Sequence, residues 1–117
     1  MKIFTKSLLV LVACTVGIVV RGDCAADPAK PDPAWSELIA SMDKMHMAMG
    51  VVARSGNTDV DFVKLMLPHH QAAIDMAKTQ LLYGKDPQMR RLAQEIITDQ
   101  QLEIDLMQRW LKHQHKN

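Results

Sequence analysis

Three stretches of the chain repeat apolar residues every three or four positions, and short polar breaks at residues 55–57 and at Gly84 separate them. This spacing is typical of amphipathic α-helices. An Asp-Pro pair precedes the first and third stretches, at residues 32–33 and 86–87, as an N-cap followed by proline in the first helical position. Because such short connections favour antiparallel neighbours, the sequence predicts an all-α fold: a small antiparallel bundle of three long helices.

The second stretch has its own start signal and an internal helix breaker. Thr58 with Asp61 three residues later predicts a capping box in acidic form. Pro68 removes one backbone hydrogen bond, so we expect a kink or a restarted helix there. Three helices can close a small core, but a homo-oligomer would bury more apolar surface and complete the bundle.

The first 26 residues have the pattern of a signal peptide. Lys2 and Lys6 give a positive start, residues 7–20 are an apolar run, and the small residues at 24–26 suit cleavage after Ala26. The alternatives are lipid anchoring at Cys14 or an uncleaved membrane anchor, for which the apolar run is short. We therefore expect an exported, periplasmic protein with no membrane contact after cleavage. Residues 27–32 would be a flexible tether and residues 33–117 the folded domain.

Cleavage of the signal peptide would determine the net charge of the mature chain and the metal-binding side chains that remain in it. Both cysteines go with it, so neither a disulfide nor a thiolate ligand is available. Three basic residues and Asp23 go as well, which turns the 14 basic and 13 acidic residues of the full chain into a net charge of −1. That charge gives no reason to expect nucleic acid as a partner. Thioethers and imidazoles are then the soft or borderline donors that remain.

Methionine is concentrated in the first helical stretch. Residues at i, i+3, i+4 and i+7 share one face of a helix, and here they are three methionines and one histidine. Soft sulfur with imidazole suits Cu(I) better than Mg, Ca or Mn. A further methionine lies off this face, where packing does not obviously require one. This first-helix cluster consists of Met42, Met45, His46, Met47 and Met49.

A second group of donors surrounds Pro68 in the second stretch. Met66, His69 and Met76 fall on one helical face, whereas His70 is turned away from His69 by about 100°. Both histidines therefore rarely reach the same ion from one straight helix. We expect one of them to bind a metal while the other supports the fold or a neighbouring site.

The third stretch places Met89, Gln100, Glu103 and Met107 at similar angles around the helix. Met107 is a further candidate ligand. Glu103 and Gln100 are expected to orient a ring nitrogen of a facing histidine, as residues around a metal site commonly do. The two histidines of the polar C-terminal tail are expected to be solvated.

Each of these residues also has an ordinary structural explanation. Methionine is an adaptable core residue, and a buried histidine is usually hydrogen-bonded within the fold. The alternative function is therefore a non-catalytic interaction or oligomerisation module with a Met-rich core and no metal role. An enzyme is not expected, because no glutamate has the histidine three residues later that di-iron bundles use. No serine has a recognisable nucleophile context either.

Residues 61–77, with the run Met-Leu-Pro-His-His-Gln at 66–71, strongly resemble the signature of domain of unknown function family 305, and residues 86–111 continue the pattern. The resemblance covers about residues 36–111 and implies an exported, ferritin-like helical bundle. Some members of that family are Met- and His-rich periplasmic copper-binding proteins linked to copper tolerance. The resemblance implies Met66, His69, His70 and Met76 as candidate ligands, and the first-helix cluster resembles the Met-rich helix of the copper-binding members in kind.

The sequence as a whole predicts a periplasmic protein that sequesters or transfers Cu(I), with Ag(I) as a second candidate ion. Its expected partners are the metal ion, a copper-transfer protein and further copies of the chain. The predicted metal ligands are Met42, Met45, His46, Met47, Met49, Met66, His69, His70, Met76 and Met107.

Overall fold

The computed structural model of the protein describes residues 31–114, and this range contains three α-helices and no strand. Helix α1 is Pro33–Gly50, α2 is Thr58–Tyr83 and α3 is Pro87–Gln114. The predicted all-α bundle of three long helices is therefore confirmed. The predicted signal peptide and the first four residues of the tether lie outside the described residues.

The starts of α1 and α3 follow the Asp-Pro signals. Asp32 accepts a hydrogen bond from the N–H of Ala34 at 2.9 Å. Asp86 accepts hydrogen bonds from the N–H groups of Gln88 and Met89 at 2.9 and 3.0 Å. These side chains satisfy amides that have no partner within the first turn of the helix.

The start of α2 differs from the prediction. Asn57 is its N-cap, and the side-chain oxygen of Asn57 accepts hydrogen bonds from the N–H groups of residues 59 and 60. The predicted capping box of Thr58 and Asp61 is therefore wrong. Asp61 instead accepts a hydrogen bond from the N–H of Ser55 at 2.7 Å, because the connection folds back over the first turn of α2.

Helix α2 also continues without interruption through Pro68, so the alternative of a restarted helix is wrong. One proline removes only a single backbone hydrogen bond. Packing of α2 against α1 and against α3 outweighs this loss. Tertiary packing of this kind supplies most of the stability of helices in proteins.

Helix α2 is the central element of the bundle. Helices α1 and α3 each pack against α2, and within residues 31–114 their backbones do not approach one another. The buried core lies mainly between α2 and α3, where partly buried side chains such as Met66 and Trp110 surround it. The residues of this core cluster are Val63, Ile74, Ile104 and Met107.

Polar contacts tie α1 to α2. The carboxylate of Glu37 accepts hydrogen bonds from the hydroxyl of Tyr83 at 2.9 Å and from that of Thr79 at 3.2 Å. The hydrogen bond to Glu37, together with desolvation and the negative charge of that carboxylate, raises the pKa of Tyr83. These contacts define the register in which the start of α1 lies against the end of α2.

Replacement of Asp61 by asparagine should lower the free energy of unfolding at neutral pH. Hydrogen bonds from Ser55 lower the pKa of Asp61 below its ordinary value of 3.8, so the charged carboxylate favours the folded state. This stabilisation is present above the unfolded-state pKa and disappears as the pH falls through the lower folded-state pKa. Urea unfolding from about pH 7 to about pH 3 should show the difference between wild type and Asp61→Asn shrinking in acid.

Asp59→Asn is the matched control, because Asp59 lies in the same first turn of α2 without the bond to Ser55. Its effect on stability should be smaller than that of Asp61→Asn. Equal stability of wild type and Asp61→Asn at neutral pH would contradict the assigned role of this carboxylate.

Candidate metal-binding site

Four potential donor side chains line one cleft between α2 and α3, which we call the α2–α3 cleft. Met66 and His70 lie one turn apart on α2, and Glu103 and Met107 lie one turn apart on α3. Residues at i and i+4 share a helix face, so the two pairs face each other across the interface. The cleft has a volume of about 270 Å³, and Phe62 and Leu106 complete its lining.

His70 is held by hydrogen bonds at both ring nitrogens. Its Nδ1 lies 2.9 Å from the carbonyl oxygen of Met66, and its Nε2 lies 2.6 Å from Oε2 of Glu103. Both partners are acceptors, so the imidazolium form donates to both. The His70 side chain is 12% exposed and that of Glu103 is 58% exposed. The contact confirms that Glu103 orients a facing histidine.

The same geometry prepares His70 for metal binding. When a metal-bound histidine uses one ring nitrogen as ligand, the other usually donates to a backbone carbonyl or a carboxylate. The carbonyl of Met66 provides this acceptor for Nδ1. Nε2 is then the nitrogen that could bind an ion, and the ion would replace the contact of Nε2 with the carboxylate of Glu103. His70, rather than His69, is therefore the histidine in position to be a ligand.

The two methionines of the α2–α3 cleft also belong to the hydrophobic core. Met107 is 9% exposed and is a member of the core cluster, and Met66 packs against it. Their sulfur atoms are therefore held in place by packing. The cleft combines two neutral thioethers, one imidazole and one carboxylate, which is a mixed donor set of soft, borderline and hard atoms.

The first-helix cluster lies apart from this cleft. His46 is exposed and Met47 is 66% exposed, whereas Met45 and Met49 are half-buried. Met45 lines a small cavity of about 140 Å³ beside Pro68. No residue of α1 lines the α2–α3 cleft, because α1 and α3 do not approach one another within the described helices.

The predicted face of α2 is divided between two places. Met66 lines the α2–α3 cleft, His69 is exposed, and Met76 lines a different cavity together with Met89 of α3. Met66 and Met76 are ten residues apart, which corresponds to about 15 Å along a helix axis. These three side chains are therefore not brought together at one site.

The two residues of α3 that were expected to orient a histidine differ in outcome. Glu103 makes the predicted contact with His70, and it also lines the cleft. Gln100 was expected to orient a histidine, yet its buried Oε1 has no hydrogen-bond partner among the described residues. The spacing of Glu103 and Met107 at i and i+4, matching that of Met66 and His70, is the signal that points to this cleft.

The part of the chain that the structure describes contains neither a cluster of polar metal-binding side chains nor a membrane-spanning helix. Between residues 31 and 114, no three side chains of His, Cys, Asp or Glu group together as a metal site. None of the three helices is both long and apolar enough to cross a membrane.

The architecture and the cleft define an all-α helical bundle with a candidate metal-binding site between its second and third helices. Residues 22–111 match the family described as Domain of unknown function (DUF305). Because this match covers most of the chain, the protein belongs to that family. It is also similar to a curated protein of Acanthamoeba polyphaga mimivirus described as "Uncharacterized protein L153", with 43% identity over 49 residues. The matched region is 42% of this chain and 32% of that relative, so the chain spans about a third of the relative's length.

The contact between His70 and Glu103 should contribute to stability without any metal. We expect a double-mutant cycle with His70→Gln and Glu103→Gln to give a coupling energy of about 1 kcal/mol, because one partner is nearly buried and the bond is charge-assisted. Urea unfolding near pH 6 measures it.

The matched control is the exposed pair of Arg91 and Glu95, which lie 2.9 Å apart on α3. Exposed pairs at this spacing typically contribute about 0.3–0.5 kcal/mol. A coupling energy for His70 and Glu103 below that of the control pair would show that this contact does not hold α2 and α3 together.

Proposed function

We propose that the protein binds Cu(I) at the α2–α3 cleft and serves, after export to the periplasm, to sequester or transfer the ion. Ag(I) is the second candidate, because it resembles Cu(I) in charge and softness. The observation that carries the proposal is the convergence of Met66, His70 and Met107, three of the predicted ligands, in one cleft. The proposed role is non-catalytic.

The chemistry of the cleft suits a soft ion that must be bound and released. The thioethers of Met66 and Met107 are neutral and bind without losing a proton, whereas the imidazole of His70 must be unprotonated. Glu103 supplies a negative charge that balances the charge of the ion. Because Glu103 is more than half exposed, we assign it to the mouth of the cleft, where ions would enter and leave.

The first-helix cluster supports transfer rather than storage. His46 and Met47 project into solvent, and Met42 is also exposed. Solvent-facing thioethers are accessible to the donor groups of another protein, whereas those of the α2–α3 cleft are held in the core. We therefore propose that this cluster exchanges Cu(I) with a copper-transfer partner.

Replacing His70 by glutamine should weaken Cu(I) binding at the cleft by at least about tenfold, since even residues that only orient a ligand typically contribute 10–100-fold to metal affinity. Competition with a chromophoric Cu(I) chelator measures the affinity. Met66→Leu with Met107→Leu should remove most of the binding that survives His70→Gln.

His69→Gln is the control for His70→Gln, because His69 is the exposed neighbour on the same helix. It should leave the cleft affinity unchanged. Absence of Cu(I) uptake by the wild-type protein would overturn the proposed function.

The triple replacement of Met42, Met45 and Met49 by leucine tests the first-helix cluster separately. We expect it to lower the number of Cu(I) ions bound while leaving the helical circular-dichroism signal unchanged, because leucine packs and forms helices as well as methionine does. An unchanged stoichiometry would show that these three residues do not bind Cu(I).

The alternative function, an oligomerisation module without a metal role, is favoured by one observation. Phe62 and Leu106, which line the α2–α3 cleft, are each about 60% exposed, and Leu92 on α3 is also exposed. Apolar surface of this kind often marks a contact with another chain. Sedimentation with and without Cu(I) separates the two functions, because a purely structural contact would be unaffected by the ion.

A further inference from the structure

A second pair of methionines faces across the α2–α3 interface at its other end. Met76 of α2 and Met89 of α3 line a cavity of about 310 Å³, which we call the Met76–Met89 cavity. Gln80 is the one polar side chain among the described residues that line it. Leu38 of α1 also reaches it, so all three helices contribute to its wall.

Burial in the core does not account for Met89. Met89 is 46% exposed in the first turn of α3, and neither Met76 nor Met89 belongs to the core cluster. At an exposed helical position, leucine would fill the same space with better-defined rotamers. The two flexible thioethers instead lie on opposite helices and border the same open space.

We propose that the Met76–Met89 cavity is a second binding site for a soft monovalent ion, Cu(I) or Ag(I), held between the two sulfur atoms. This inference rests on the proposed function, because it concerns the same ions, but the site is separate from the α2–α3 cleft. The separation of Met66 and Met76 by about 15 Å along α2 allows both sites to be filled at once. The protein then binds at least two ions.

The donor set makes this site selective for soft ions. Thioethers are soft ligands that favour Cu(I), whereas Mg²⁺ and Ca²⁺ require several oxygen ligands or retained water. The walls contributed by Leu38, Leu92 and Ile96 are apolar, so they disfavour a strongly hydrated ion. Gln80 adds one amide oxygen that is too hard and too isolated to bind a divalent ion alone.

The lining of this site contains no titratable side chain. The side chains that line it are Leu38, Ala73, Met76, Ala77, Gln80, Met89, Leu92, Ala93 and Ile96. Thioethers are neutral, so no proton has to leave the site before the ion binds.

The test is a titration of the purified protein with Ag(I), followed by NMR of methionines labelled with ¹³C at the terminal methyl group. Single replacements by leucine assign each signal. We expect the methyl signals of Met76 and Met89 to shift together. The signals of Met66 and Met107 should shift as a separate pair, through binding at the α2–α3 cleft.

Two variants establish that the paired methionines act on one ion. Met89→Leu should abolish the Ag(I)-induced shift of Met76 and leave the shifts of Met66 and Met107 intact. Met76→Leu should likewise abolish the Ag(I)-induced shift of Met89 and leave the shifts of Met66 and Met107 intact. Met89 is exposed in the first turn of α3, so Met89→Leu should fold normally. The test can therefore be made even if Met76→Leu fails to fold. Met47→Leu, at an exposed position on α1, is the control and should change none of these shifts.

The possible failures are distinguishable. If Met66 and Met107 respond to Ag(I) while Met76 and Met89 do not, the second site is wrong and the proposed function stands. A shift of Met76 that survives Met89→Leu also overturns the shared site. If none of the methionine signals responds, both the second site and the proposed function are wrong.

Discussion

The packing of α2 between two helices that do not meet is the constraint on which the rest of the structure depends. The backbones of α1 and α3 each contact α2 and do not approach one another within residues 31–114. The Met76–Met89 cavity, to which side chains of both α1 and α3 contribute, is also lined by α2. The α2–α3 interface carries most of the core and both methionine pairs that face across it. The interface of α1 with α2 is more polar, and Glu37 connects it through hydrogen bonds to Tyr83 and Thr79.

The bond between His70 and Glu103 links this architecture to the candidate chemistry. It joins α2 to α3 beside the core cluster, and it fixes the ring of His70 so that Nε2 faces the cleft. The contact between Nε2 and Glu103 therefore joins the two helices, whereas the contact between Nδ1 and the carbonyl of Met66 sets the orientation of the ring. An ion bound at Nε2 would replace the first contact and leave the second in place.

Sequence patterns predicted the helices well and the sites only in part. The Asp-Pro pairs at 32–33 and 86–87 mark true helix starts, because capping depends on a few adjacent residues. The cap of α2 was misassigned to Thr58, since Asn57 and Thr58 are both good capping residues and only the folded connection shows which is used. Met66, His70 and Met107 were all recognised as candidates, and their i, i+4 spacings fit a shared cleft, but only the folded helices show that they lie together without Met76.

The sequence by itself determined the three helices, their antiparallel order and the kinds of donor atoms present, because helical periodicity and capping are local properties. The tertiary structure decided which donors meet. It placed Met107 and Glu103 opposite Met66 and His70, and it left the first-helix cluster on a helix whose backbone does not approach that of α3 within residues 31–114. Such groupings depend on the rotation and register of whole helices against one another, and these are set by the sum of many packing contacts rather than by the spacing of any single motif.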